Sequence, residues 1–134
     1  MTPTENITQA LKRSLDFSGR AARAEYWWFT LVWAVIAGAA VAFDMAMLGV
    51  DPVTNPQSGR AFPAALLLIL IPHLSLSIRR LHDQNMRGWW WLITLLPYVG
   101  ILIHLSWMTR SGTEGDNRFG TDPLPASENP TKYF

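Results

Sequence analysis

The sequence contains no cysteine, which excludes disulfides and thiolate metal sites. It has almost no net charge, +1 at neutral pH. That is too little for binding nucleic acid through bulk electrostatics, and no nucleic acid is expected among its partners. No serine sits in a nucleophile elbow, and no P-loop, dinucleotide fingerprint or HExxH zinc motif occurs. There is no internal repeat and no extended low-complexity tract. The residues call for no metal and no other cofactor.

What is present is unevenly spread. The 134 residues suffice for one domain, and a hydrophobic share of 49% is ordinary. The apolar residues, however, fall in three long runs, with the charges in short blocks between them. Most of the seven tryptophans stand at the ends of those runs. An indole collects there when a helix ends at a bilayer surface, because its ring is apolar and its N–H needs a polar partner.

The first run, Tyr26 to Leu48, has about the length needed to cross a 30 Å apolar core. Its only charge is Asp44, near the far end, where it can reach the interface. Thr30, Ala34, Gly38 and Ala42 recur every four residues and form a helical stripe that lets another helix approach closely. The Ala37–Ala40 stretch is composed like a signal-peptidase site. The long polar segment before it and the apolar residues after it point instead to an uncleaved anchor. The second run, Phe62 to Ile78, is the shortest and most polar, and is expected to be surrounded by protein. Pro63 suits a first helical turn, whereas Pro72 removes a hydrogen bond and predicts a kink near Leu68. The third run, Trp89 to Met108, carries Pro97 and Gly100 inside it.

The chain thus divides into a juxtamembrane segment (1–25), a transmembrane bundle (26–108) and a polar, turn-rich tail (109–134). Within the first segment, Ile7, Leu11 and Leu15 predict a short amphipathic helix on the membrane surface, with Lys12 and Arg13 at the headgroups. The expected fold class is all-α: an integral membrane helical bundle of three transmembrane helices plus a short N-terminal amphipathic helix.

Cations set the expected orientation. Lys12, Arg13, Arg20 and Arg23 precede the first run, and Arg79, Arg80 and Arg87 follow the second, while the first loop holds only Arg60. This predicts a multi-pass protein with a cytoplasmic N-terminus and a cytoplasmic second loop. Three full spans then put the tail outside. A second run that dips in and returns would keep the tail on the cytoplasmic side.

Three polar clusters are candidates for chemistry. In Phe17–Trp28, Arg20 and Arg23 share a helix face, Ser18 is a candidate cap, and Glu25 is a candidate partner for the arginines. In Arg79–Trp91, Asp83 follows Arg79 by four residues and Arg80 by three, so both pairs can form on a helix. His82 and Asp83 are a thin signal for acid–base or metal chemistry. Arg20, Arg23, Arg79 and Arg80 form a candidate anion or lipid site, since guanidinium grips phosphate with two parallel bonds. Glu25, His82 and Asp83 make up a candidate polar corner. In Ser111–Pro123 the acidic spacing does not match a calcium loop, and a structured turn with Arg118 and Phe119 tucked against a neighbour is expected. His73 and His104 are separated in depth by more than about 10 Å if their helices both span, so each is expected to be a packed, hydrogen-bonded side chain rather than half of one site.

The ordered series GRAARAEYWW, RRLHD with GWW shortly after, and NRFG-x-DP resembles the domain of unknown function 805 family, from about Phe17 to Pro123. Two of the motifs depart from the family pattern. Met86 and Arg87 stand where an arginine and a serine usually precede the glycine, and Phe119 replaces a tyrosine. The resemblance implies a multispan protein of the bacterial inner (plasma) membrane and supplies no activity, cofactor or catalytic residue. The leading functional expectation is a non-enzymatic membrane module in contact with lipids, associating with itself or with another membrane protein. The alternatives are an anionic-lipid or anion-binding component of a transport or export system, and an enzyme using His82 and Asp83.

Overall fold

The computed structural model describes residues 2–51, 53–55 and 59–124. The regular elements among these residues are all helices, joined by turns and loops. Helix α1 spans Pro3–Lys12. Thr2 caps it, accepting a hydrogen bond from the Glu5 amide at 3.3 Å, while the Glu5 carboxylate accepts from the Thr2 amide at 2.7 Å. Asn6 and Ala10 are buried, whereas Leu11 and Leu15 are exposed, so the apolar ladder read from the sequence faces mostly away from the bundle. The chain then turns. Asp16 accepts from the Arg13 guanidinium at 2.7 Å and from the Ser18 amide at 2.9 Å. The Ser18 and Arg13 bonds hold its carboxyl well below the usual carboxylate range. Ser18 serves this turn and does not cap the next helix, which starts at Ala22 without a side-chain cap.

Helix α2 runs Arg23–Leu48 and α3 runs Ala61–Asp83. With 26 and 23 residues they are about 39 and 35 Å long, and both are apolar enough to cross a membrane. Helix α2 ends at Gly49, whose φ of 62° is the left-handed conformation that closes helices without steric cost. Asp44 reaches across the loop. Its carboxylate accepts from the amides of Arg60 (3.2 Å), Ala61 (3.0 Å) and Phe62 (2.9 Å), which are the orphan donors at the start of α3. The acid that the sequence leaves near the interface is therefore a fully buried clamp between the two long helices. Helix α3 is continuous through Pro72. Only its second half is enclosed by protein: Ser75, Leu76, Ser77 and residues 79–83 are buried, while Leu66, Leu67, Leu68, Leu70 and Ile71 are exposed.

All three apolar runs are helical, as expected, but the third takes a different form. It is a 3-10 helix, Gly88–Leu95, followed by a break and by α4, Val99–Thr109. Tyr98 at the break has φ 63° and ψ −64°, and the Val99 amide bonds back to the Pro97 carbonyl at 2.7 Å. This is the rare, strained form of the γ-turn. The two arms lie antiparallel. Trp90 and Trp107 meet edge to face, with centroids 6.0 Å apart, and Gly100 lies so close that a Cβ there would collide with the Ile93 carbonyl. Eight residues at the 3-10 rise and eleven at the α rise both give about 16 Å. The third run is therefore a matched hairpin about half as deep as a bilayer core is thick, and it returns to the end of the bundle from which it started.

Candidate functional site

That return assembles the three polar clusters at one end of the bundle. The chain 16–21 runs along the last two turns of α3. Ser75 donates to the Asp16 carbonyl at 2.6 Å, and the Ala21 amide donates to the Arg79 carbonyl at 3.1 Å. Behind this strap Arg79 reaches Glu25 at 2.8 Å, with side-chain exposures of 0% and 1%. Asp83 takes two arginines. Arg20 binds one carboxylate oxygen through Nε at 2.9 Å, and Arg80 binds the other.

The remaining arginine donors fasten the C-terminal loop. Arg20 Nη2 donates to the Thr113 carbonyl at 2.5 Å and Nη1 to the Gly115 carbonyl, while Arg80 donates to the Arg110 carbonyl. The loop reciprocates. The Thr113 amide and hydroxyl donate to the Asp83 carbonyl at 2.8 and 3.0 Å, and Asn117 donates to the His82 carbonyl at 2.9 Å. These carbonyls are among the orphan acceptors at the end of α3, so the loop caps that helix. A Cβ on Gly112 would collide with the Asp83 carboxylate, which explains a glycine at that contact.

His82 shares a 3.1 Å hydrogen bond between its Nδ1 and the Gly19 carbonyl, and it stacks on Phe119 at 4.0 Å with the rings nearly parallel. Arg118 lies over the other part of that assembly, 4.7 Å from the Phe119 centroid, and donates to the Asn85 carbonyl at 2.7 Å. Phe119 and Arg118 are thus tucked against the corner, as the turn composition suggests. Phe119 acts here through its ring face, a contact that requires no phenol.

The arginines expected to hold an anion or lipid are distributed differently from one another. Arg20, Arg79 and Arg80 are buried and bonded to carboxylates and carbonyls, and only Arg23 is exposed, with a long 3.5 Å contact to the Thr109 carbonyl. The Arg79–Asp83 pair suggested by helical spacing does not form, because Arg79 turns to Glu25 on α2. Three guanidinium groups against two carboxylates leave the knot one positive charge in excess. Glu25 Oε2, Arg79 Nε and Nη2, and Arg80 Nε have no hydrogen-bond partner among the described residues. Among the described residues there is no group of three His, Cys, Asp or Glu side chains able to hold a metal ion.

The stripe Thr30, Ala34, Gly38 and Ala42 also splits. Thr30 lies 3.4 Å from His73 Nε2, whereas Ala34, Gly38 and Ala42 are exposed, and a Cβ on Gly38 would meet nothing within 4 Å. Among the described residues, the upper part of the stripe is thus left on the outer surface of the bundle.

A second polar cluster lies deeper and is one the sequence reading kept apart. Tyr26 shares a 3.3 Å hydrogen bond with His104 Nε2, and its ring lies 5.4 Å from that of His73. His73 in turn lies 3.4 Å from Thr30 and, through Nδ1, 3.4 Å from Ser77. The depth difference expected for three full spans disappears because α4 runs back toward its own starting end.

Apolar helices long enough to span, tryptophans at their ends and a charged knot at one pole define a helical integral membrane protein. The chain belongs to the family described as protein of unknown function (DUF805), which matches residues 14–121. It is 41% identical over 113 residues to the inner membrane protein YhaI of Escherichia coli K12, covering 84% of this chain and 90% of that one. It is 36% identical over 119 residues to the inner membrane protein YhaH of the same organism, covering 86% and 93%. It is thus an inner-membrane protein of a family without an assigned activity. No solved structure matches it.

Proposed function

We propose that this protein is a multi-pass, non-enzymatic membrane module whose N-terminus, α3 corner and C-terminal loop all lie on the cytoplasmic side, and which associates within the membrane with a second copy of itself or with another membrane protein. The observation that carries the reading is the hairpin tip, Leu96–Pro97–Tyr98. Its backbone is not helical, all three residues are exposed, and Tyr98 is 84% exposed. Lipid cannot solvate irregular backbone in the hydrocarbon region, so such a segment is tolerated where protein or a water-filled cavity covers it. The open stripe Ala34, Gly38 and Ala42 supports the same reading, because small residues let helix backbones of two chains approach closely.

The charged groups support a structural role for the knot. Arg20, Arg79, Arg80, Glu25 and Asp83 bind one another and backbone carbonyls, which leaves no exposed nucleophile or base among them. The cationic blocks Lys12–Arg23 and Arg79–Arg87 favour the cytoplasmic side for this pole.

The cysteine-free background makes the test direct. Tyr98→Cys, carried through a bifunctional thiol reagent in native inner membranes, is expected to join two copies or to join this chain to another membrane protein. Gly38→Leu is expected to weaken that adduct. Tyr98→Cys that stays uncrosslinked to any protein, or adducts unchanged by Gly38→Leu, would overturn the reading.

A further inference from the structure

The hydrogen bonds that hold the re-entrant hairpin to α2 are few. Among the described residues, side-chain hydrogen bonds between α2 and α4 are Tyr26 with His104 at 3.3 Å and the long Arg23 contact to Thr109. The first lies inside the apolar zone. His104 is 8% exposed, and its second ring nitrogen, Nδ1, has no hydrogen-bond partner among the described residues. On the other side of the Tyr26 ring environment, His73 of α3 lies 5.4 Å away by ring centroid.

The hydrogens on His73 follow from its partners. Ser77 donates its hydroxyl to the His73 carbonyl at 2.7 Å, so the Ser77 oxygen accepts from His73 Nδ1–H. That leaves His73 Nε2 as a lone pair for the Thr30 hydroxyl at 3.4 Å. His104 Nε2 is the acceptor that the Tyr26 O–H needs. The neutral cluster carries one proton on each imidazole, and that of His104 then sits on Nδ1, which has no acceptor among the described residues.

We propose that Tyr26, His73 and His104 form a proton-responsive latch, closed when both imidazoles are neutral and opened when they take up protons, which lets the hairpin of the third run swing away from α2 and α3. Protonation converts the acceptor at His104 Nε2 into a donor, so the Tyr26 hydroxyl can no longer donate to it and their hydrogen bond must reverse. It also puts two like charges around one phenol in a medium that screens them poorly. No neighbouring acid relieves them. The nearest on α2, Glu25, is committed to Arg79 of α3. The 3-10 helix carries no titratable side chain, and Arg13 at the end of α1 is committed to Asp16 and the Ser18 carbonyl. Ionisable side chains inside a membrane commonly mark such responsive elements.

The test uses the full chain in lipid nanodiscs with two nitroxide labels, at Leu31→Cys on α2 and Leu102→Cys on α4, both exposed positions. Pulsed electron paramagnetic resonance reads their separation at about pH 7.5 and at about pH 4 and below, the lower values lying well under ordinary imidazole titration. The expected result is one short distance at the higher pH and growth of a population longer by about one helical turn, roughly 5 Å, at the lower. His73→Gln with His104→Gln, which keeps polar partners for Thr30 and Tyr26 but cannot take up protons, should hold the short distance at every value. Tyr26→Phe keeps both imidazoles and should raise the long population already at the higher pH. A separation that ignores pH in the parent chain would overturn the proposal. So would an acid shift that persists in the double glutamine variant. If the double variant fails to insert, the parent and Tyr26→Phe measurements decide alone.

Discussion

Asp83→Asn is the sharpest perturbation of this structure, because one carboxylate closes the knot. Its oxygens take Arg20 at 2.9 Å and Arg80, both arginines are buried, and both then reach out to carbonyls of the C-terminal loop. Asparagine keeps the size of the side chain and removes the charge, leaving two guanidinium groups buried without a counter-ion. Removing one partner of a buried pair costs about 3–5 kcal/mol. At about 1.4 kcal/mol per factor of ten, the loop should open roughly a hundredfold to a few thousandfold more often. Trypsin reads this directly, since cleavage after Arg110 and Arg118 under native conditions tracks the open population when reclosing is fast. The variant should be cut faster by that factor while α2 and α3 stay intact in the bilayer. Cleavage at the parent's rate would refute the reasoning, because it would mean that the knot does not hold the loop.

Asp44→Ala should free the amides of Arg60, Ala61 and Phe62, at a cost of about 1–3 kcal/mol for the orphaned donors, and hydrogen exchange at those amides should accelerate while the knot stays protected. Gly112→Ala should push the loop off Asp83 and raise trypsin sensitivity, whereas Gly38→Ala, which meets open space within one chain, should leave it unchanged. Asp16 has a depressed carboxyl pKa when folded, so its contribution to the 13–18 turn is complete above the unfolded value of about 3.9 and fades as pH falls below it. Exchange at the Ser18 amide should therefore rise on acidification below about pH 4, and Asp16→Asn should show the faster exchange already at neutral pH, without the acid step.

Much of the fold is legible in the residues. The runs Tyr26–Leu48 and Phe62–Ile78 lie within the two long helices, and Thr2, Pro3 and Glu5 announce the start of α1. The third run is harder. Mean hydropathy is as high in the 3-10 helix and α4 as in a full span, and only Pro97 and Gly100 hint at the break. The site is legible only where it is local. Arg80 and Asp83, three residues apart, meet as spacing suggests, but Arg20 and Asp83 are separated by 63 residues and Arg79 and Glu25 by 54. No periodicity connects such pairs. Tyr26, Gly112, Thr113 and Asn117 escaped the sequence reading for the same reason: each matters through a partner that only the returning hairpin brings near. The separation inferred for His73 and His104 followed directly from counting α4 in the wrong direction across the membrane.

The α3 corner and the C-terminal loop bind each other and so share one side of the membrane, which we propose is the cytoplasmic one. Single cysteines at Thr54, Gln84 and Thr121, each tested alone in intact cells with a membrane-impermeant thiol reagent, address this most directly. Thr54→Cys is expected to be labelled in intact cells, and Gln84→Cys and Thr121→Cys only after the inner membrane is opened. Labelling of Thr121→Cys in intact cells while Gln84→Cys stays protected would put the loop across the membrane from Asp83, and would contradict both the knot and the half-depth hairpin that builds it.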